Sequence, residues 1–305
     1  MTDRPGDGPL RRLGRVVPAP LRASAKELGN RIETVVAQRL WDSAAPDSTP
    51  LPIDALDDLA RRHPVTDVHY EYAPDDRLAR GVARRASIEP YAPQPGASLE
   101  IGSADAMTSA ELARTGWHAT AIDIDTSRTD PRAPAAGVAV HEMDATQLLF
   151  PDASFDLVCT FNVFEHLPDP AATFAEIVRV LRPGGIAYIS FTGLRWSPHG
   201  AHMYKVINVP YITVLFDQAD VLGYLRTHGL PDRFPWVNEY SIEHFREVFH
   251  SHAGAIETLH YEETRNRWHT RLIAAHPGVF KARAPSFDSL LVDTVHATYR
   301  RRSND

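Results

Sequence analysis

Short apolar runs alternate with helical patterns between residues 97 and 191, and this alternation limits the possible folds more than any other feature of the chain. The run Ala97–Gly102 (ASLEIG) stops at a glycine, which is typical of a buried strand in a parallel sheet. Further along, Asp169 and Pro170 predict the start of a helix, because aspartate is a good N-cap and proline is tolerated at the first helical position. The predicted strands here are Ala97–Gly102, His118–Asp123, Gly137–Glu142, Phe155–Phe161 and Ile186–Phe191.

This order predicts an α/β fold built on a doubly wound, seven-stranded, mostly parallel sheet. Pro131 and Pro134 predict that the second crossover helix is very short or absent. Two more strands are expected at Ala255–Glu263 and His269–His276, paired as a hairpin, and a C-terminal helix at Phe287–Tyr299.

The first 95 residues predict a helical extension in front of the sheet. Residues 1–20 contain four prolines and three glycines and are expected to form a disordered tail. A helix is expected from about Leu21 to Trp41, with its apolar side against the rest of the protein, and two more helical patterns follow before residue 90. The apolar side of the first helix consists of Leu28, Ile32, Val35, Val36 and Leu40.

Composition excludes several classes of protein. Of the 305 residues, 43% are hydrophobic and 23% charged, which is ordinary for a globular chain, and no apolar run reaches the roughly 18 residues of a membrane span. The only cysteine, Cys159, excludes an internal disulfide and a thiolate zinc site. Without an apolar secretory signal near its start, the chain is expected to be cytoplasmic.

The formal net charge of −7 argues against a general nucleic-acid binder, since neutralising phosphates requires a basic surface. Residues 1–40 nevertheless carry eight Arg and Lys against four Asp and Glu. This basic N-terminus could make a weak peripheral contact with anionic lipid, or it could be a solvated basic helix.

Four segments at predicted strand ends carry the chemistry. They are the turn 99–106 (LEIGSADA), Asp123, the segment Met143-Asp144-Ala145, and 181–185 (LRPGG). Asp123 ends the second strand, 21 residues after Gly102, where an acidic side chain can accept hydrogen bonds from the hydroxyls of a ribose.

In this order and spacing the segments resemble the class I S-adenosylmethionine-dependent methyltransferases, specifically the broad small-molecule, methyltransferase type 11-like group. The most specific part is PDASFDLVCTFNVFEHLPDP, with LRPGG downstream. The resemblance implies a Rossmann-like methyltransferase fold with S-adenosylmethionine as cofactor. Together with the composition and helical patterns of the first 95 residues, it predicts a tail (1–20), a helical extension (21–95) and a methyltransferase domain (96–305) that contains the cap insertion 192–240.

The resemblance further implies a role for each matching residue. The loop with Glu100, Gly102 and Ser103 would lie under the methionyl part of the cofactor, and Asp123 would bind the ribose hydroxyls. The remaining cofactor residues are Asp144 at the adenine amino group, Ala145 with its N–H at the ring, and Phe161 and Asn162 at the methionyl or methyl end.

The loop departs from the family pattern at Ala104 and Ala106, where glycines are usual. Ala106 would cost only a methyl group if its φ is negative, whereas Ala104 could crowd the cofactor. The site is therefore either working or degenerate. A loop with one glycine and an acid at Asp105 suits a sulfonium better than a pyrophosphate, which needs close contact with the backbone.

For the acceptor, a small molecule, we expect residues 192–240 to form a cap, because ligands bind at the carboxyl ends of strands and so long a connection is usually functional. A hydroxyl acceptor benefits from a histidine base, and the candidates are His202, His199 and His166. No metal site is expected, because no third ligand is spaced with His199 and His202.

The cap sequence is loosely similar to bacterial methyltransferases encoded with glycan or secondary-metabolite pathways. It suggests O-methylation of a sugar, glycolipid or other natural product. N- or C-methylation, and a catalytically silent cofactor-binding partner subunit, remain alternatives. The sequence makes no prediction of oligomeric state.

Overall fold

The computed structural model describes residues 19–65 and 74–303, and its centre is one seven-stranded sheet with the strand order β3-β2-β1-β4-β5-β7-β6. Strands β1 to β5 pair in parallel, and β7 runs antiparallel to both β5 and β6. The predicted fold class is confirmed. The strands are β1 Ala97–Ile101, β2 His118–Asp123, β3 Ala139–Glu142, β4 Phe155–Phe161, β5 Leu181–Thr192, β6 Ile256–Arg265 and β7 Val292–Arg301.

Twelve α-helices surround the sheet in the described part of the chain, and they account for most of the predicted helical patterns. They are α1 Ala19–Ser43, α2 Leu56–Arg62, α3 Pro74–Ile88, α4 Met107–Arg114, α5 Arg132–Ala135, α6 Pro170–Val180, α7 Ile212–Leu215, α8 Gln218–Thr227, α9 Ile242–His250, α10 Thr270–Ala275, α11 Pro277–Arg283 and α12 Phe287–Leu291. None of these helices is both long and apolar enough to cross a membrane.

Local signals in the sequence set several of these boundaries. The side chain of Asp169 accepts a hydrogen bond from the N–H of Ala172 at 2.9 Å, and Pro170 is the first residue of α6. The second crossover helix, α5, has only four residues, as the two prolines predicted.

The register of the parallel strands positions the functional edge. Ile101 at the end of β1 lies opposite Ile122 of β2 on one side and Thr160 of β4 on the other. The residues that follow these three positions, Gly102, Asp123 and Phe161, therefore lie side by side at the carboxyl edge of the sheet.

The hydrophobic core has one cluster on each face of the sheet and a third beyond its carboxyl edge. The first two are built around residues such as Leu99 and Phe174 on one face and Met107 and Leu157 on the other. The third joins the segment 201–225 to α1, α10, α11 and α12.

The C-terminal quarter differs from the prediction. His269–His276 is the helix α10 instead of a strand, and Phe287–Tyr299 is a short helix followed by β7. β7 is rich in β-branched residues and is buried on both faces between β5 and β6, where a strand satisfies its backbone groups. The apolar spacing from Phe287 to Tyr299 fits a helix as well as a fully buried strand, which is why periodicity alone failed here.

The N-terminal helix also differs from the prediction. Its apolar stripe is exposed instead of packed: 60% of Leu28, 57% of Ile32 and 52% of Val35 is accessible to solvent. α1 contacts the protein through its other side, where Ala37 and Trp41 are buried and the Trp41 ring lies 5.9 Å from that of Phe287. The expected tail of residues 1–20 lies outside the described residues, apart from its last two residues, which begin α1.

Replacing Trp41 by alanine should lower the free energy of unfolding by about 3 kcal/mol, because a buried aromatic side chain is lost. The control Ile32→Ser, on the exposed side of the same helix, should change it by less than about 0.5 kcal/mol. Urea denaturation of both variants measures these values. An Ile32→Ser variant as unstable as Trp41→Ala would contradict the observed orientation of α1.

Candidate functional site

A cavity of about 790 Å³ opens at the carboxyl ends of β1, β2 and β4. This volume lies within the range of sites that enclose a small organic molecule. Most of the predicted site residues line it, namely Gly102, Asp123, Asp144, Ala145, Phe161, Asn162 and His166.

The loop after β1 forms part of the cavity wall, and its first residue must be glycine. Gly102 has φ +66°, and a Cβ on it would lie 2.4 Å from a methyl carbon of Val163. Ala104 and Ala106 also have positive φ, +49° and +57°. Ala106 thus lacks the negative φ under which it would cost only a methyl group, and each alanine is strained by about 1–2 kcal/mol.

The carboxylate of Asp123 holds this strained loop. Its Oδ2 accepts a hydrogen bond from the N–H of Ala104 at 2.8 Å, and its Oδ1 accepts one from the N–H of Asp125 at 3.1 Å. The side chain is therefore fixed in orientation, while each oxygen retains capacity to accept a further hydrogen bond. Such a carboxylate is suited to a ligand with paired hydroxyls.

Asp144 lies further along the same cavity, after β3. Its Oδ1 accepts hydrogen bonds from the N–H and the hydroxyl of Thr146, both at 2.8 Å, and these bonds lower the pKa of Asp144. Asp144 is exposed and ionised at neutral pH, so it can accept a hydrogen bond from an amino group in the cavity.

Two of the predicted cofactor residues do not line the cavity. The Glu100 side chain points beneath the loop, where its Oε2 accepts hydrogen bonds from the N–H and hydroxyl of Ser109 at 2.9 and 2.7 Å. Burial raises the pKa of Glu100. Ser103 is 1% exposed and also lies behind the wall. Both residues therefore support the loop instead of touching a ligand.

Three arginines of α3 line the cavity, and sequence reasoning missed them. The guanidinium of Arg84 lies over the ring of Phe161, 4.6 Å from its centroid, and burial lowers the pKa of Arg84. Arg80 forms an ion pair with Asp105, and Arg77 lies 3.6 Å from a carboxylate oxygen of Asp130. Their spacing of three and four residues places them on one face of a helix, and this was the sequence signal that could have identified them.

The three predicted histidines occupy different environments. His166 lines the cavity, and its Nδ1 is 2.7 Å from the carbonyl oxygen of Trp236. His202 lies behind it, 9% exposed, with the two ring centroids 5.4 Å apart, and burial lowers the pKa of His202 to about 4. His199 does not line the cavity, because Asp293 holds its Nδ1 at 2.5 Å.

Glu165 completes a cluster with two of these histidines. It is fully buried, with Oε1 3.5 Å from Nε2 of His202 and 3.9 Å from Nε2 of His166, and burial raises the pKa of Glu165 to about 7. Sequence reasoning noted Glu165 only as the neighbour of His166. Its partner His202 comes from the expected cap segment, but the sequence did not indicate that the two side chains meet.

Gly193 makes room for His202. A Cβ at this position would lie 2.3 Å from Cε1 of the imidazole, and the φ of Gly193 is +73°. Glycine is therefore required for the ring to reach Glu165.

Comparison with known proteins identifies the segment that carries the cavity. Residues 99–189 match the family described as "Methyltransferase domain". The chain is 31% identical over 129 residues to a ubiquinone biosynthesis O-methyltransferase of Caulobacter vibrioides, covering 35% of this chain and 51% of that protein.

Two other relatives show the same partial coverage. A demethylmenaquinone methyltransferase of Beutenbergia cavernae is 30% identical over 152 residues, which is 48% of this chain and 60% of that protein. An uncharacterized methyltransferase of a Mycobacterium species (strain JLS) is 37% identical over 106 residues, 34% of this chain and 41% of that protein. The chain thus spans about half the length of the curated relatives it matches.

The domain match and the seven-stranded sheet agree with the resemblance found in the motifs. Residues 99–189, which include β2 to β4 and most of β1 and β5 and supply most of the cavity wall, match the methyltransferase-domain family, in agreement with the resemblance of their motifs to class I S-adenosylmethionine-dependent methyltransferases.

Proposed function

We propose that the protein transfers a methyl group from S-adenosylmethionine to a hydroxyl group of a small-molecule acceptor. The observation that carries the proposal is one cavity with Asp123 and Asp144 in one part of its wall and His166 in another. The cofactor supplies a methyl group on a sulfonium, and transfer breaks its carbon–sulfur bond as the new carbon–oxygen bond forms. Holding both molecules in contact, away from water, supplies much of the acceleration.

The residues proposed to bind the cofactor are ones that line the cavity. The fixed carboxylate of Asp123 suits the ribose hydroxyls, and Asp144 with the backbone of Ala145 suits the adenine. Phe161 and Asn162 would face the methionyl end. Arg84, which stacks on Phe161, is placed to neutralise the carboxylate of the methionyl group.

The segment 192–240 is proposed as the acceptor cap. It reaches the cavity through Lys205 and packs on the end of β4 through Asn238. The Asn238 side chain donates hydrogen bonds to the carbonyl oxygens of Phe164 and Leu167 at 2.7 and 3.0 Å. These bonds hold the cap against the residues that flank His166.

For the acceptor we propose a sugar, glycolipid or other natural product. The relative named as an O-methyltransferase favours oxygen over nitrogen or carbon as the methylated atom. His166 is the histidine closest to the acceptor space, whereas His202 lies behind it and His199 is held by Asp293. We therefore assign contact with the acceptor hydroxyl to His166, supported by Glu165 and His202.

Replacing Asp123 by alanine should weaken binding of S-adenosylhomocysteine at least tenfold, because hydrogen bonds to a charged group contribute about 1.5–3 kcal/mol each. Titration calorimetry measures the affinity, and circular dichroism checks the fold. The matched control is Glu142→Ala, an exposed acid at the end of the adjacent strand, which should bind normally. Unchanged affinity in folded Asp123→Ala would refute the cofactor assignment.

Replacing His166 by alanine should lower turnover about 10²–10⁴-fold and leave binding of S-adenosylhomocysteine intact. A methyl-transfer assay on a panel of hydroxylated acceptors measures the effect. His199→Ala should lose less than about tenfold, and His118→Ala, an exposed residue at the far end of β2, should lose nothing. Cofactor binding without transfer to any acceptor would favour the silent partner subunit.

The exposed stripe of α1 supports the weak membrane contact expected from the basic N-terminus. Leu28, Ile32 and Val35 are exposed beside a segment with excess positive charge, a combination that suits the surface of an anionic bilayer. A cytoplasmic protein could reach a lipid-dissolved acceptor in this way. The fraction of protein that sediments with phosphatidylglycerol vesicles should be lower for Ile32→Ser than for the unmodified protein. With phosphatidylcholine vesicles, both proteins should sediment weakly. Equal sedimentation of both proteins would contradict the contact.

A further inference from the structure

We infer that Glu165, His166 and His202 bind a divalent transition-metal ion at the acceptor end of the cavity. The inference deepens the proposed function and rests on it, since the ion would hold the acceptor's oxygen. The residues come from the end of β4 and from the segment 192–240, so the fold assembles the set from two distant parts of the chain.

The distances between the ligand atoms are close to those of a bound ion. One atom from each of the three side chains lies within 4.8 Å of the others. Oε1 of Glu165 lies 3.5 Å from His202 and 3.9 Å from His166. Zinc bonds to nitrogen and oxygen of about 2.0–2.2 Å place neighbouring ligands roughly 3–3.5 Å apart, so small side-chain shifts complete the site.

Burial gives the second, independent observation. Glu165 has no exposed surface, and within the described residues neither of its carboxylate oxygens makes a well-formed hydrogen bond, although the backbone N–H groups of Glu165 and Thr192 lie near the carboxyl group. Ionising a buried carboxyl group that lacks such bonds is unfavourable, and a cation bound to it removes that penalty.

The hydrogen bond of His166 orients its other nitrogen for metal binding. A carbonyl oxygen only accepts, so the contact between Nδ1 and Trp236 requires the proton to be on Nδ1. In the neutral ring, Nε2 on the side of Glu165 then carries the lone pair that can bind a metal ion. Metal-binding histidines are commonly fixed by such a bond from the second ring nitrogen.

The chemistry of the three ligands narrows the choice of ion. Two imidazoles and one carboxylate suit Zn²⁺, Mn²⁺, Fe²⁺ or Co²⁺ better than Mg²⁺ or Ca²⁺, which prefer oxygen ligands. Because His166 lines the cavity, coordination positions remain open on that side.

An acceptor hydroxyl at an open position would lose its proton more readily, because a bound cation lowers the pKa of a coordinated hydroxyl. The O–H bond breaks and the proton passes to solvent. The oxygen then forms its bond to the methyl carbon while the carbon–sulfur bond of the cofactor breaks. In this account His166 and His202 act as ligands and need not take up the proton.

The inference departs from the expectation that there is no metal site, which stays a prediction. That expectation looked for a third ligand near His199 and His202 in the sequence. The fold turns His199 to Asp293 and brings Glu165 to His202 in its place.

The test is metal binding by the full-length protein after treatment with a chelator. Zn²⁺ and Mn²⁺ are titrated separately by calorimetry, and bound metal is counted by mass spectrometry after dialysis. The expected result is one equivalent per chain for at least one ion, with affinity about tenfold or more lower in Glu165→Gln and in His166→Ala. His118→Ala is the control and should bind as the unmodified protein does.

His166 is partly exposed, so His166→Ala should fold even if Glu165→Gln does not. Absence of stoichiometric binding, or binding unchanged in folded His166→Ala, would overturn the inference. Titration with S-adenosylhomocysteine on the same samples separates the two proposals. If the unmodified protein binds a metal ion but does not bind S-adenosylhomocysteine, the proposed function is contradicted. If it binds S-adenosylhomocysteine but neither metal ion, the metal site is contradicted.

Discussion

The parallel pairing of β1 with β2 on one side and with β4 on the other determines where the central residues of the cavity wall lie. Three neighbouring strands that run in one direction end at the same edge, so their loops meet. Gly102, Asp123 and Phe161 come from segments about 20 to 40 residues apart and reach one cavity because of this register. The α3 arginines and the segment 192–240 then line the remaining sides.

The loop after β1 shows how a departure from a glycine pattern can be accommodated. Ala104 and Ala106 occupy left-handed conformations, and hydrogen bonds of their N–H groups to Asp123 and to the carbonyl of Ser103 offset part of the strain. Asp123 thereby holds the loop while it also lines the cavity.

Sequence patterns predicted the parallel part of the sheet and seven of the residues that line the cavity, because these depend on local features. A strand that ends at Gly102, the cap at Asp169 and the acid at Asp123 each act within a few residues of the chain. The pattern failed at β7, where burial on both faces gives an apolar spacing that also fits a helix. It also failed at α1, whose contacts use Ala37 and Trp41 instead of the larger aliphatic stripe. Arg84 and Glu165 were missed because their importance depends on residues far away in sequence.

The cluster of Glu165 with His202 requires glycine at position 193, and the sequence of another chain shows at once whether it meets this requirement. Only a residue without a side chain leaves space for the imidazole of His202, nine positions later, to stand beside the buried carboxylate. The adjacent Glu-His pair at 165 and 166 is therefore not enough to build the cluster. A chain that keeps the Glu-His pair but carries a side chain at the position of Gly193 would therefore lose the placement of the histidine beside the carboxylate.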